Sequence, residues 1–143
     1  MSKPEFIEDK ERLCQLAPVI SAPIEKHVFV CTGKSCSAVG GKEVFDEFAR
    51  ILEEKNLRQG KASKGRNPMG RIVLTECGSV GFCSIGTAVL VYPDGIWYGQ
   101  VRPEDAREII EKHLIHGEVV QRLALIDINR PSPLIKDVDQ LNK

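Results

Sequence analysis

The sequence has no long apolar run and no excess of charge of either sign. A membrane-spanning helix needs roughly 18 consecutive apolar residues, and no such stretch occurs. Lysine and arginine together number 20, as do aspartate and glutamate, so the formal net charge is zero. This balance gives no electrostatic argument for binding nucleic acid or an anionic membrane. We therefore expect neither a membrane protein nor a nucleic-acid-binding protein.

The sequence also lacks an export signal and a Cys-x-x-Cys motif. The first ten residues include acidic side chains and no apolar segment of the kind found in signal peptides. We therefore expect a cytoplasmic location, where reducing conditions disfavour disulfides and clustered cysteines indicate metal binding or redox chemistry. Disulfide oxidoreductases commonly carry Cys-x-x-Cys at a helix N-terminus, so that class fits poorly.

The length of 143 residues allows one ordinary domain with some peripheral sequence. Prolines that follow a short expected helix at 6–16 indicate an N-terminal extension over residues 1–26. We expect the main domain over residues 27–125 and a C-terminal tail over residues 126–143. Apolar residues within 119–125 are expected to dock on the domain.

Hydrophobic periodicity within the domain predicts an α/β fold. A strand–helix–strand order implies a parallel pair of strands, and a following hairpin adds an antiparallel edge. The predicted elements are a strand at 27–31, an amphipathic helix from Gly40 with Val44, Phe45, Phe48 and Leu52 on one face, a strand at 71–75, a hairpin of strands at 87–92 and 96–99, and a helix from Pro103 to Gly117.

Four of the five cysteines lie in two glycine-containing loops, each directly after a predicted strand. Cys31 and Cys36 form the first cluster, and Cys77 and Cys83 form the second. Because the carboxyl ends of neighbouring parallel strands meet at one edge of a sheet, we expect the two loops to lie close together. Four thiols brought together in this way can hold a metal or a cluster, and glycine lets backbone N–H groups approach the sulfurs. Cys14 stands alone in the extension and is expected to be a small buried residue or a surface thiol.

Four clustered thiols can bind a zinc ion or one of several kinds of iron–sulfur cluster. Four-thiolate zinc is chemically sound and stays open, although zinc-binding pairs usually sit two to four residues apart and these gaps are four and five. Longer gaps between the cysteines of a pair suit a larger metal site that contains two metal ions. A plant-type ferredoxin would need a cysteine where Val39 stands, and a bacterial two-cluster ferredoxin needs more cysteines, so both classes are excluded.

Two segments of the sequence resemble a known protein family. Cys31-Thr-Gly-Lys-Ser-Cys36-Ser-Ala-Val-Gly-Gly, followed by an amphipathic helix, resembles the first ligand pair of thioredoxin-like [2Fe-2S] proteins, most closely the iron–sulfur subunit of respiratory complex I and related hydrogenases. Residues 92–114 resemble the C-terminal half of free-standing thioredoxin-like [2Fe-2S] ferredoxins, and the resemblance covers about residues 27–125. It implies a thioredoxin-like mixed sheet flanked by helices, one [2Fe-2S] cluster, and a homodimer. It also implies a non-enzymatic carrier that passes single electrons between redox partner proteins.

The second ligand pair departs from the family pattern. The family normally has Cys-x3-Cys; Cys83 matches its last ligand, but the preceding position is Ser79, and Cys77 lies two residues earlier. A soft thiolate binds iron better than a far more basic serine alkoxide, and Gly78 and Gly81 give the longer loop freedom to reach. We predict ligation by Cys31, Cys36, Cys77 and Cys83, with Ser79 as the alternative to Cys77. The alternatives in function are a four-thiolate zinc-binding interaction module and a redox-sensing iron–sulfur protein.

Histidine does not enter the predicted site. His27 opens a strand, whereas His113 and His116 lie near the C-terminal end of the last predicted helix. Positive charge is favourable at a helix C-terminus, so capping by these two side chains is favoured over cluster ligation.

Overall fold

The computed structural model describes residues 6–81 and 83–130, apart from the side chains of Pro18 and Cys83. Most of the predicted C-terminal tail, residues 131–143, therefore lies outside the described residues. The described strands are β1 (Lys26–Cys31), β2 (Ile72–Cys77), β3 (Val89–Tyr92), β4 (Ile96–Tyr98) and β5 (Ala124–Asp127). The helices are α1 (Lys10–Leu16), α2 (Lys34–Ala38), α3 (Gly41–Glu54) and α4 (Ala106–Glu108), which is preceded by a 3-10 turn at Pro103–Asp105 and continues as a π-helix at Ile109–Ile115.

The five strands form one mixed sheet in the order β2-β1-β3-β4-β5. β1 and β2 are parallel, and α3 forms the crossover between them, which confirms the predicted strand–helix–strand unit. The predicted hairpin is also present as antiparallel β3 and β4, and β3 pairs with β1. The hairpin is not the edge of the sheet, however, because β5 pairs with β4 and takes that place.

The core lies between the sheet and two helical segments. Helix α3 packs on β1 and β2 and contacts α4. Its apolar face confirms the predicted stripe, since Val44, Phe48 and Leu52 are fully buried and Phe45 is half-buried against the core. The last helix likewise buries its predicted residues Ala106, Ile109, Ile110 and Leu114.

His113 corrects the sequence-based expectation of a helix cap. Its side chain is fully buried, and it lies between the hairpin turn and β4. The His113 Nε2 is 2.6 Å from the Asp94 carboxylate, and its Nδ1 is 2.8 Å from the Tyr98 hydroxyl. The capping hypothesis failed because the same apolar stripe that buries the helix also carries this histidine into the core.

The polar network around His113 is completed at both ends. Lys26 pairs with Asp94 at 2.8 Å, and the Val120 N–H donates to the Tyr98 hydroxyl oxygen at 3.0 Å. Burial acts to raise the pKa of Asp94, but hydrogen bonds from Lys26 and His113 outweigh it and hold that pKa below its ordinary value. Because buried polar groups are costly without partners, this network favours one arrangement of the hairpin turn against the last helix.

The buried phenol predicts an alkaline loss of stability. Burial raises the pKa of Tyr98 to about 12 from an ordinary value of 10.0. The folded chain therefore keeps the phenol proton after the unfolded chain has lost it. The phenol's contribution is complete below pH 10 and disappears as the pH rises from 10 through about 12. We expect about 1–2 kcal/mol less unfolding free energy at pH 11 than at pH 9 from this group. Denaturant titrations of the native chain and Tyr98→Phe measure it: equal pH dependence in both proteins would refute the assignment, and Tyr92→Phe serves as an exposed control.

The two ends of the described chain differ in how they pack. Val120 and Leu123 are buried, as the expected docking of segment 119–125 requires, but Leu125 is 46% exposed on β5. Helix α1 lies within the predicted 6–16 segment and has no buried residue. No helix within the described residues is long and apolar enough to cross a membrane.

Candidate metal centre

The two cysteine loops begin side by side at one edge of the sheet. β1 ends at Cys31, β2 ends at Cys77, and these two residues are paired in the parallel register. The Thr32 N–H then donates to the Cys77 carbonyl oxygen at 2.9 Å, which extends the pairing one step into the loops. The structure thus confirms that both loops leave the carboxyl ends of neighbouring parallel strands.

The first loop folds back so that its second cysteine is also buried. Gly33 precedes α2, and Cys36 lies within this short helix. The Ser37 hydroxyl donates to the Thr32 carbonyl oxygen at 2.7 Å, and the Ser37 N–H donates to the Gly33 carbonyl oxygen at 2.8 Å. Cys31 and Cys36 are both fully buried in a small cluster with Ala88, and Val80 of the second loop packs on it.

Gly41 lets α3 begin close to this loop, and sequence reasoning did not single it out. A Cβ atom on Gly41 would lie 2.6 Å from the Cys31 carbonyl oxygen and 2.9 Å from that of Cys36. Real Cβ atoms do not approach backbone that closely, so a side chain here would displace the loop. The pair of adjacent glycines, Gly40 and Gly41, was the available signal in the sequence. In the structure, Gly40 has φ +94° and makes the turn into the helix.

The second loop presents its thiol and its hydroxyl differently. Cys77 is half-buried, and its Sγ is 3.7 Å from the Val30 carbonyl oxygen on β1. Ser79 is exposed, and its Oγ accepts a hydrogen bond from the Gly81 N–H at 3.0 Å. Cys77 therefore lies beside the first loop, whereas the Ser79 hydroxyl is engaged by its own loop.

The glycines of the two loops differ in how closely other atoms approach them. A Cβ on Gly33 would lie 3.5 Å from the Gly78 carbonyl carbon and 3.6 Å from the Cys31 Sγ, so the loops approach to ordinary van der Waals contact. Among the described residues, a Cβ on Gly78 or on Gly81 would meet no atom within 4 Å. A side chain at Gly33 would thus meet the second loop, whereas the backbone at Gly78 and Gly81 has open space beside it among the described residues.

The segment that follows the second loop is held against the first. The 3-10 turn Cys83–Ile85 packs against α2, which contains Cys36. The Gln100 N–H donates to the Ile85 carbonyl oxygen at 2.8 Å, and the Trp97 Nε1–H donates to the Val80 carbonyl oxygen at 3.0 Å. The backbone thereby brings the Cys83 turn to the same edge of the sheet as the other three predicted ligands.

The donors at this edge are thiols. His27 is the second residue of β1 and lies far along the strand from Cys31, so a histidine-ligated cluster has no support here. Among the described side chains, no three of His, Cys, Asp or Glu are close enough together to hold a metal ion, and this includes Cys31, Cys36 and Cys77. The Cys83 side chain is not among the described ones. Soft thiolates suit zinc or iron–sulfur clusters, so the donor chemistry fits a [2Fe-2S] group.

Comparison with known proteins decides the family. No family model matches the chain. A [2Fe-2S] ferredoxin from Aquifex aeolicus is 41% identical over 109 residues, covering 70% of this chain and 88% of the relative. The chain belongs to the thioredoxin-like [2Fe-2S] ferredoxin family. A second ferredoxin of this kind, from Clostridium pasteurianum, is 35% identical and is covered over 94% of its length.

The crystal structure of the Aquifex aeolicus thioredoxin-like [2Fe-2S] ferredoxin shows that the family fold is shared. It matches with a TM-score of 0.60 at 38% sequence identity, covering 73% of this chain and 99% of that one. The expected thioredoxin-like fold is therefore confirmed. Since these family members are matched over most of their length, roughly 30% of this chain is sequence that they do not share.

Proposed function

We propose that the chain is a small electron carrier that binds one [2Fe-2S] cluster through Cys31, Cys36, Cys77 and Cys83. One observation carries the proposal: the ends of β1 and β2 place Cys31 beside Cys77, while α2 returns Cys36 to a buried position next to Cys31. When bound, the cluster supplies one-electron oxidation and reduction. The chain supplies thiolate ligands, partial exclusion of water and backbone N–H donors from the loops.

The choice of Cys77 over Ser79 follows from position and from donor chemistry. Cys77 is fixed by strand pairing directly opposite Cys31, whereas Ser79 is exposed and already accepts a hydrogen bond from Gly81. A thiolate forms at far lower pH than a serine alkoxide and is the softer ligand. Gly78 and Gly81 lack side chains, so they place few steric limits on the backbone of the longer loop.

The carrier role assigns no catalysis to the chain itself. Electrons would arrive from one redox partner protein and leave to another, through the edge of the sheet where the cysteine loops lie. Val39 is 60% exposed just after the first loop and gives that edge an apolar contact point for such a partner. The basic loop at Lys61 and Lys64 lies elsewhere, after α3, and serves as a solvated loop in this account.

Metal analysis of the intact chain tests the proposed function. Anaerobically purified protein is expected to be brown, with visible absorption and equal amounts of iron and acid-labile sulfide. A colourless protein that carries zinc would contradict the proposal and would favour the zinc-binding module. Prior addition of a zinc chelator to the growth medium controls for replacement of iron by zinc.

We also propose that the chain forms a homodimer in the cytoplasm and that its main domain spans residues 27–125. Leu125 and Ile128 are exposed on and just after the edge strand β5 and offer an apolar surface for a second copy. Light scattering on the intact chain measures the oligomeric state. The buried members of the hydrophobic core run from Val28 to Leu123, which supports these limits, while β5 extends the paired sheet as far as Asp127.

A further inference from the structure

Thr87 carries a buried hydroxyl that has no hydrogen-bond partner among the described residues. Its side chain is 1% exposed, and its Oγ1 is one of two such buried atoms. The other, Arg66 Nε, lies 3.8 Å from the Glu53 carboxylate and so keeps an ionic neighbour. A buried hydroxyl without a partner destabilises the fold, whereas valine would fill the same space without that cost. The position therefore calls for an explanation from function.

Thr87 lies beside the first cysteine loop and follows the second one in sequence. In sequence it follows the Cys83–Ile85 turn closely. In the sheet, the antiparallel register that pairs Val30 with Val89 continues for one step, because the Cys31 N–H donates to the Ala88 carbonyl oxygen at 3.0 Å. The next step places Thr87 across from the start of the first cysteine loop.

The surroundings of Thr87 hold it in place. The Val101 N–H donates to the Thr87 carbonyl oxygen at 3.0 Å, on the side away from the first loop. The neighbouring Ala88 is packed with Cys31 and Cys36. A β-branched side chain also has few χ1 rotamers, so the hydroxyl is restricted in where it points. Backbone hydrogen bonds on both sides thus fix this segment, with Thr87 almost fully buried.

We propose that the Thr87 Oγ1–H donates a hydrogen bond to a sulfur of the bound cluster or of its ligand thiolates, and that this bond raises the reduction potential. The inference rests on the proposed function. A sulfur atom of the bound cluster, or of a ligand thiolate, would be the acceptor that the Thr87 hydroxyl lacks in the cluster-free protein. Because the site gains one negative charge when it takes up an electron, a fixed donor stabilises the reduced form more than the oxidised form.

Two variants separate the hydroxyl from the shape of the side chain. Thr87→Val removes the donor and keeps the volume, whereas Thr87→Ser keeps the donor. In cluster-loaded protein at a fixed potential, we expect Thr87→Val to raise the ratio of oxidised to reduced protein about tenfold. This change corresponds to a fall of about 59 mV in the reduction potential. Thr87→Ser should stay nearer to the native potential. Potentiometric titration followed by visible absorption measures both.

The cluster-free protein provides an independent readout with the opposite sign. There the hydroxyl has no partner, so Thr87→Val should raise the denaturant midpoint while it lowers the potential of the loaded protein. If Thr87→Val does not fold, Thr87→Ala allows the potential to be compared in the same way.

The outcomes distinguish this inference from the proposed function. A Thr87→Val protein that loads normally and keeps the native potential overturns the role of Thr87 and leaves the carrier function intact. A lower denaturant midpoint in cluster-free Thr87→Val would reveal a partner within the protein and would also overturn it. If the native chain takes up no iron–sulfur cluster, the proposed function fails first.

Discussion

Replacing Cys77 by alanine is expected to remove the visible absorption of the protein and nearly all of its bound iron. The variant would lose the thiolate that strand pairing places opposite Cys31, and three thiolates do not complete the ligation of two iron atoms. Ser79→Ala should keep the native spectrum, because the Ser79 hydroxyl is exposed and bonded within its own loop. Visible absorption and iron content of the two purified variants give the comparison.

Cys14→Ala is the matched control for this pair. Cys14 lies on α1, outside the site, so the loss of a thiol as such should leave the spectrum unchanged. The ligand assignment is wrong if Cys77→Ala keeps the native spectrum while Ser79→Ala perturbs it. In that case the family register, with oxygen ligation by Ser79, would describe the second loop.

Gly41→Ala is expected to have the second largest effect, although alanine is the better helix former. Propensity alone would favour the variant by about 1 kcal/mol. The added methyl group, however, would lie 2.6 Å from the carbonyl oxygen of Cys31 and 2.9 Å from that of Cys36, and both belong to backbone. Overpacking of this kind costs about 1–3 kcal/mol, or more where backbone must move. We expect a net loss of about 1–2 kcal/mol in the unfolding free energy and faster loss of the cluster.

Denaturant unfolding of the cluster-free protein measures this effect, with Gly78→Ala as the control. A Cβ on Gly78 would meet no atom of the described residues within 4 Å, so the same substitution should have little effect on the stability of the cluster-free protein. A Gly41→Ala protein more stable than the native chain would show that α3 does not approach the first loop as closely as described. Cluster retention is compared between Gly41→Ala and the native chain by the decay of visible absorption in dilute chelator.

Much of the fold was accessible from local patterns in the sequence. The short β-branched runs that became β1, β2 and β3 and the amphipathic spacing of α3 each carry their own signal. Strand β5 carries no such signal. Its four residues are mostly half-exposed, and their extended conformation depends on pairing with β4. The burial of His113 has no local signal for a related reason, since it depends on partners from β4 and the hairpin turn.

Those features of the candidate site that follow from the sheet topology could be predicted from the sequence. Those that depend on the distances between elements could not. The meeting of the two loops is a consequence of parallel pairing, so the neighbourhood of Cys31 and Cys77 could be predicted. The roles of Gly41 and Thr87 depend on how closely α3 and β3 approach the loops, which no spacing in the sequence encodes. The choice between Cys77 and Ser79 likewise depends on which side chain faces the first loop.

A reductive titration followed by EPR spectroscopy tests the central claim most directly. Stepwise reduction of the intact, anaerobically purified chain should bleach its visible absorption as each chain takes up one electron. A rhombic EPR signal, typical of a reduced [2Fe-2S] cluster, should grow in proportion. Uptake of one electron per chain together with that signal is the result that we predict. A chain that accepts no electrons and shows no signal, with zinc as its only bound metal, would contradict the account.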